Sequence, residues 1–216
     1  MGLDFSYILY FKWEKMWEAL DAVIKIAQPS EIPSRLIFPD HELLIPMETW
    51  ISNNGIQHSD DPELNFSSVL FFEADEAIRE YVEDHGGNSD DFRSPPDATG
   101  IAKIPIGYVY LSIYNKGSEW YGEDGARDVA AFDFGTPGTT MSILFQESPS
   151  IRNTFLQLAR KIPAECAVFN SEFNGEVIWW KGKEVSIEIG DPFMQPHEIE
   201  TILSKPTPPA SHDRND

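Results

Sequence analysis

The chain has 216 residues, 41% hydrophobic and 12% aromatic, enough apolar material for a substantial core. It carries 36 acidic against 16 basic residues, a formal net charge of −20, which argues against binding nucleic-acid phosphates or anionic membranes; it permits a basic partner and also simply keeps a protein in solution. No apolar run nears the roughly 20 residues of a membrane helix. The start, Met1-Gly2-Leu3-Asp4, lacks a secretory pattern, and the single cysteine, Cys166, cannot form an intramolecular disulfide, so a cytoplasmic location is expected.

Leu3 to Phe11, rich in Phe, Tyr, Ile and Leu, predicts a strand. Lys12 to Ala27 predicts a helix with Trp13, Met16, Trp17, Leu20, Val23 and Ile24 on one stripe, ended by Pro29. Arg35 to Phe38 and Glu42 to Ile45 read as a hairpin around Pro39-Asp40-His41. Glu48 to Glu63 is irregular. Leu64 to Glu73 is a strand and Asp75 to His85 a helix, with Asp75 as its cap and Gly86 as its stop. Gly86 to Gly100 is a polar linker.

Ile101 to Tyr114 predicts a long strand whose Pro105 suggests an edge position or a late start. Its faces separate into Tyr108, Tyr110 and Tyr114 on one side and Val109, Leu111 and Ile113 on the other. A loop follows from Asn115 to Arg127, then a strand from Asp128 to Phe134. Ser142 to Gln146 is short, apolar and bounded by turn formers, which suits a buried strand. Ser148 and Pro149 then open a helix with Ile151, Phe155, Leu156 and Leu158 at helical spacing. Cys166 to Phe173 and Glu176 to Lys181 form a hairpin through Asn174-Gly175. Lys183 to Ile189 adds a strand and Pro196 to Ser204 a short helix. Residues 205–216 have the composition of a disordered tail.

Ser68-Val69-Leu70-Phe71-Phe72-Glu73, a cap and Ile78-Arg79 echo Ser142-Ile143-Leu144-Phe145-Gln146-Glu147, a cap and Ile151-Arg152. This echo reads either as an internal repeat or as the ordinary look of a strand-to-helix junction. The expected fold is α+β: a mostly antiparallel sheet with three to four helices on one face. Residues 1–204 form a single domain, with halves at 1–90 and 101–204 if the repeat is real.

Specific chemistry is scarce. Asp133-Phe134-Gly135 spells a kinase metal-binding tripeptide without its required context. His58, Asp60, Asp61 and Glu63 do not alternate around a glycine as calcium ligands do. Asp40, His41 and Glu42 adjoin, but His41 and Glu42 would point to opposite faces of a strand. No catalytic residue, metal site or cofactor is assigned. Cys166, among apolar neighbours, reads as a core residue.

Two surfaces remain as candidate sites. Glu119, Trp120, Tyr121, Glu123 and Asp124 set aromatics among acids on a loop, suiting either a partner-binding anchor or a lid on the chain's own core. Tyr108, Tyr110 and Tyr114 could instead line a small-molecule cleft. Between His58 and Asp91 lie eleven acids and one base, a segment able to steer a cationic partner. In composition the chain resembles bacterial immunity proteins and other small interaction proteins. The reading is therefore a non-enzymatic protein that binds a basic protein partner, with a small-molecule-binding module second and an enzyme of unknown class third.

Overall fold

A computed structural model describes residues 2–50, 54–88, 90, 94, 101–116, 118–119 and 128–204. In chain order these form β1 (Ser6–Lys12), α1 (Met16–Ile24), β2 (Ser34–Ile37), β3 (Glu42–Ile45), β4 (Ile56–His58), β5 (Glu63–Glu73) and α2 (Glu76–Asp84). After them come β6 (Lys103–Tyr114), β7 (Val129–Gly135), α3 (Thr139–Glu147), α4 (Pro149–Lys161), β8 (Ala164–Asn170), β9 (Gly175–Trp180), β10 (Lys183–Ile189) and α5 (Pro196–Leu203). The class is α+β, with five α-helices among the described residues. The polar tail 205–216 and most of 86–100 lie outside the described residues.

The main sheet has seven antiparallel strands in the order β10-β9-β8-β1-β7-β6-β5. Strands from both sides of the 89–100 segment interleave in it, with the N-terminal strand at its centre. A second sheet, β3-β2-β4, holds the predicted hairpin of β2 and β3. It also holds β4, a short strand parallel to β2 inside the segment expected to be irregular. The Gln57 side chain joins the two sheets: its Nε2 donates to Asn65 O (3.0 Å) and its Oε1 accepts from Asn65 N (2.6 Å). That satisfies backbone groups at the exposed edge of β5.

Helices α1 to α4 cover one face of the main sheet. Phe155 of α4 sits at the middle of this core, its ring 4.4 Å from Tyr7, 4.9 Å from Phe134, 6.0 Å from Phe145 and 6.3 Å from Phe72. The Tyr7 hydroxyl donates to Phe145 O (3.0 Å), so its burial leaves no orphaned polar group.

Ser142 to Gln146 is helical, not a strand, lying within α3. A five-residue apolar run is ambiguous by periodicity; here Met141, Leu144 and Phe145 bury at helical spacing while Ile143 is exposed. The Ser142 hydroxyl settles the geometry by accepting from Phe5 N (3.1 Å) and donating to Leu3 O (2.7 Å), which ties α3 to the start of β1. The two echoing segments thus take different structures, strand–helix in one and helix–helix in the other.

The predicted caps are present and joined. Ser148 Oγ accepts from Ile151 N and donates to Asp75 Oδ2 (2.6 Å). Asp75 Oδ1 accepts from Ile78 N, and Oδ2 accepts from Ser150 N. One carboxylate therefore serves the N-termini of both α2 and α4, where the helix dipoles favour negative charge.

The hairpin of β8 and β9 exists, but Asn174-Gly175 is not its two-residue turn. Asn170 pairs with Gly175, leaving a loop of residues 171–174. Gly175 is needed for close packing: a Cβ there would lie 2.7 Å from Ile189 Cγ1 and 2.8 Å from Pro192 Cα. The tight turn is Lys181-Gly182, with φ of 43° and 89° between the paired Trp180 and Lys183.

The helices are not all on one face. α5 lies on the other, its buried Ile199 packing with Ile8, Tyr10, Val129, Cys166 and Val168. The cause is visible in β1, buried without alternation from Ser6 to Phe11; a central strand apolar on both sides needs cover on both sides. No helix among the described residues is long and apolar enough to cross a membrane.

Candidate functional site: the tyrosine face of the sheet

In contrast to β1, β6 alternates. Val109, Leu111 and Ile113 are buried beneath the helices, while Tyr108 and Tyr110 are 50% and 38% exposed on the other side. Pro105 falls in the part of β6 paired only with β5, because β7 reaches only Tyr110 to Tyr114, in keeping with its expected edge character. Tyr114 is partly buried and leans on the cluster under α5. Of the three predicted tyrosines, two therefore form an open surface and the third its boundary.

The register supplies the neighbours. Tyr110 lies opposite Ser67, Ser112 opposite both Asn65 and Asp133, and Tyr114 opposite Glu63. The Ser112 hydroxyl donates to Asn65 Oδ1 (2.9 Å), and Asn170 Nδ2 donates to Ser6 Oγ (3.2 Å) further across the same face. Trp50, 48% exposed, sits with its ring 5.5 Å from that of Tyr110. Glu48 pairs with Ser67 in an isolated bridge and accepts from the Ser30 hydroxyl (2.8 Å).

Asp133 is the unusual group. Burial pushes its carboxyl up to about 6; a Ser6 hydrogen bond pulls it back, and Glu63 adds to the rise. Its Oδ1 is sealed from solvent and has no hydrogen-bond partner. Burial, with Asp133 and Glu63 nearby, pushes the Tyr114 phenol up to about 12. Negative charge is thus concentrated around Tyr114, at the boundary of the open rings, an arrangement that attracts ammonium and guanidinium groups by ion pairing and cation–π contact.

The other predicted residues are placed as follows. Glu119 is exposed just beyond β6, whereas Trp120, Tyr121, Glu123 and Asp124 lie outside the described residues. The loop they belong to starts beside the acidic β4–β5 turn, since Asn115 Nδ2 donates to Ser59 O (3.1 Å) and Asp61 O (3.0 Å). Asp61 closes that turn by accepting from His58 N (2.7 Å). The acidic segment is split. Glu63 reaches the tyrosine face, while Glu76, Glu80, Glu83 and Asp84 project from α2, which packs on the opposite side through Ile78 and Val82.

His41 pairs with Asp40 (2.7 Å), and Glu42 is held by a two-pronged contact with Arg35, so the two do not converge. Among the described residues, no group of three or more His, Cys, Asp or Glu side chains is placed to hold a metal ion. Cys166 is fully buried, and burial pushes its thiol up.

No protein-family model matches this chain, and no curated protein or solved structure does. The site must speak through its geometry. Sequence reasoning separated the tyrosines by alternation, missed Trp50 and Glu48, and met Asp133 only within a tripeptide lacking its kinase context. The available signal for Asp133 was a carboxylate inside the otherwise apolar strand Val129 to Gly135.

Proposed function

We propose that this is a non-enzymatic module that binds a basic protein partner on the tyrosine face of β6, in the manner of immunity and other interaction proteins that mask a positively charged site. The observation that carries this reading is the grouping of exposed Trp50, Tyr108 and Tyr110 with Glu48, bounded at the Tyr114 end by the carboxylate of Glu63. Trp and Tyr offer large, rigid contact area, and each cation–π contact adds about 0.5–1 kcal/mol at an exposed site. The acids of α2 lie too far round to touch the same partner but add to the field that draws it in. Trp120 and Tyr121, with Glu119, Glu123 and Asp124, are proposed as a second anchor. Buried Cys166, kept as a thiol, suits a reducing cytoplasm.

The small-molecule reading is second. The hollow beside Tyr108 holds about 50 Å³, well under the roughly 300–1,000 Å³ usual for such ligands. Capture from native-host lysate at low and moderate salt, with mass-spectrometric identification, is the test. A basic protein held at low salt, released at moderate salt, and lost from the Tyr108→Ala, Tyr110→Ala variant is the expected result. Equal retention by that variant would remove the tyrosine face, and loss only from Trp120→Ala, Tyr121→Ala would move the site to the loop.

A further inference from the structure

A second exposed apolar surface lies between α1 and β3. A groove of about 470 Å³ is lined there by Trp17, Leu20, Ile24, Phe38, Leu43 and Pro46, among others. Its floor is ordered, with Trp17 and Phe38 edge to face at 4.9 Å. β3 is the outer strand of its sheet, and among the described residues no strand pairs with its free edge. Leu43 lies opposite buried Leu36 and so faces α1, while Leu44 lies opposite Arg35 and faces away. Even so, Leu43 is 44% and Leu44 60% exposed. An edge strand with leucines open on both faces carries little protection against pairing.

The charges around this groove differ from the rest of the chain. Asp21 is paired with Lys25 (2.5 Å), Glu18 with Lys15 (2.7 Å), Glu42 with Arg35 (2.5 Å) and Asp40 with His41 (2.7 Å). The surround therefore carries little net charge, with Asp40 hydrogen-bonded to His41 and the other three acids matched by Lys or Arg, on a molecule of net charge −20. A basic partner gains little from carboxylates already matched. A second copy of the chain, repelled elsewhere by its own charge, meets the least repulsion here.

We infer that β3 and the α1 groove form a self-association surface, in which the β3 edges of two copies pair antiparallel about a two-fold axis. With that axis perpendicular to the sheet, residues of the same face come opposite each other. Leu43 of one copy then meets Leu43 of the second copy, and Glu42 of each meets Leu44 of the other. The two three-stranded sheets become one of six strands, and the paired leucines close the groove over both α1 helices. Because the copies carry like charge, salt tightens this association, opposite in sign to its effect on a basic partner.

The test is sedimentation velocity of the full chain from about 1 to about 100 µM, in salt from about 0.05 to about 0.5 M. A reversible dimer favoured by salt is expected. Leu44→Glu, a change at an exposed side chain that sets a carboxylate opposite Glu42 of the second copy, should weaken it at least tenfold with the melting temperature of dilute protein unchanged. Leu43→Cys should give an intermolecular disulfide on mild oxidation, since opposed Cβ atoms lie about 4.5–5.5 Å apart. A monomer across the whole range, or a dimer indifferent to Leu44→Glu, would overturn the inference without touching the tyrosine-face proposal.

Discussion

The tyrosine face and the β3 groove are both open and both apolar, yet they present opposite electrostatics. On the tyrosine face, Glu63 and Asp133 lie beside rings with no matching cation in the described ion pairs. Around the groove, Asp21, Glu18 and Glu42 each have a basic partner on the chain itself. Exposed hydrophobic area alone marks a contact surface. The state of pairing of nearby charge then distinguishes a surface suited to a cation from one suited to a neutral or identical neighbour. Surface ion pairs stabilise a fold by little, about 0–1 kcal/mol each, but they change what can approach.

The strongest way to break this comparison is to remove the core beneath both surfaces. Phe155→Ala should destabilise the fold by about 3–5 kcal/mol, from lost ring contacts and the cavity left behind. Urea denaturation reads the loss, and a drop below about 1 kcal/mol would show that the helical layer is not the support described. Next in size is the double change Tyr108→Ala, Tyr110→Ala. It should weaken basic-partner binding by about 2–3 kcal/mol, roughly a hundredfold, leaving the salt-favoured self-association untouched. Loss of both by calorimetry and sedimentation would merge the two surfaces into one.

Asp75→Ala serves as a distant control. Removing one carboxylate from two helix N-termini should cost about 2 kcal/mol of stability, about 1 for each cap. Once folded, the variant should bind as the wild type does on both surfaces. A denaturation midpoint equal to wild type would mean that backbone and solvent replace the caps.

The smallest expected effect sharpens the electrostatic side. Asp133 has a folded-state pKa raised to about 6, above its unfolded value of about 3.9. A raised carboxyl contributes its stability while protonated, below about pH 4, and loses it as pH rises through about 6. Asp133→Asn should therefore match wild type at pH 4 and be more stable by roughly 1–2 kcal/mol at pH 7, after allowance for the partial exposure of the residue. Melting curves at the two pH values test this. An asparagine variant less stable at pH 7 would mean that the ionised carboxylate is well satisfied.

Much of this architecture is legible in single segments. The caps at Asp75 and Ser148 need only a short polar side chain ahead of an apolar periodic run. The alternation of Tyr108, Val109, Tyr110 and Leu111 separates an open face from a buried one. Other features depend on neighbours remote in sequence. Ser142 to Gln146 is helical because Leu3 and Phe5 anchor Ser142 from more than 130 residues away. Trp50 joins Tyr110 only because β5 brings Glu48 alongside Ser67.

From the sequence alone came the class, the balance of charge and the faces of individual strands, since composition and period are local properties of the chain. Which faces stayed open was decided by tertiary structure. Burial of β1 on both sides drew α5 across one half of the sheet's second face and left Tyr108 and Tyr110 uncovered on the other. The same holds for charge. Glu42 and Glu63 are equivalent as letters, but Arg35 lies opposite β3 and meets one, while Tyr114 and a buried carboxylate flank the other. Pairing of this kind depends on distance across strands, which strand order and register set and no single segment contains.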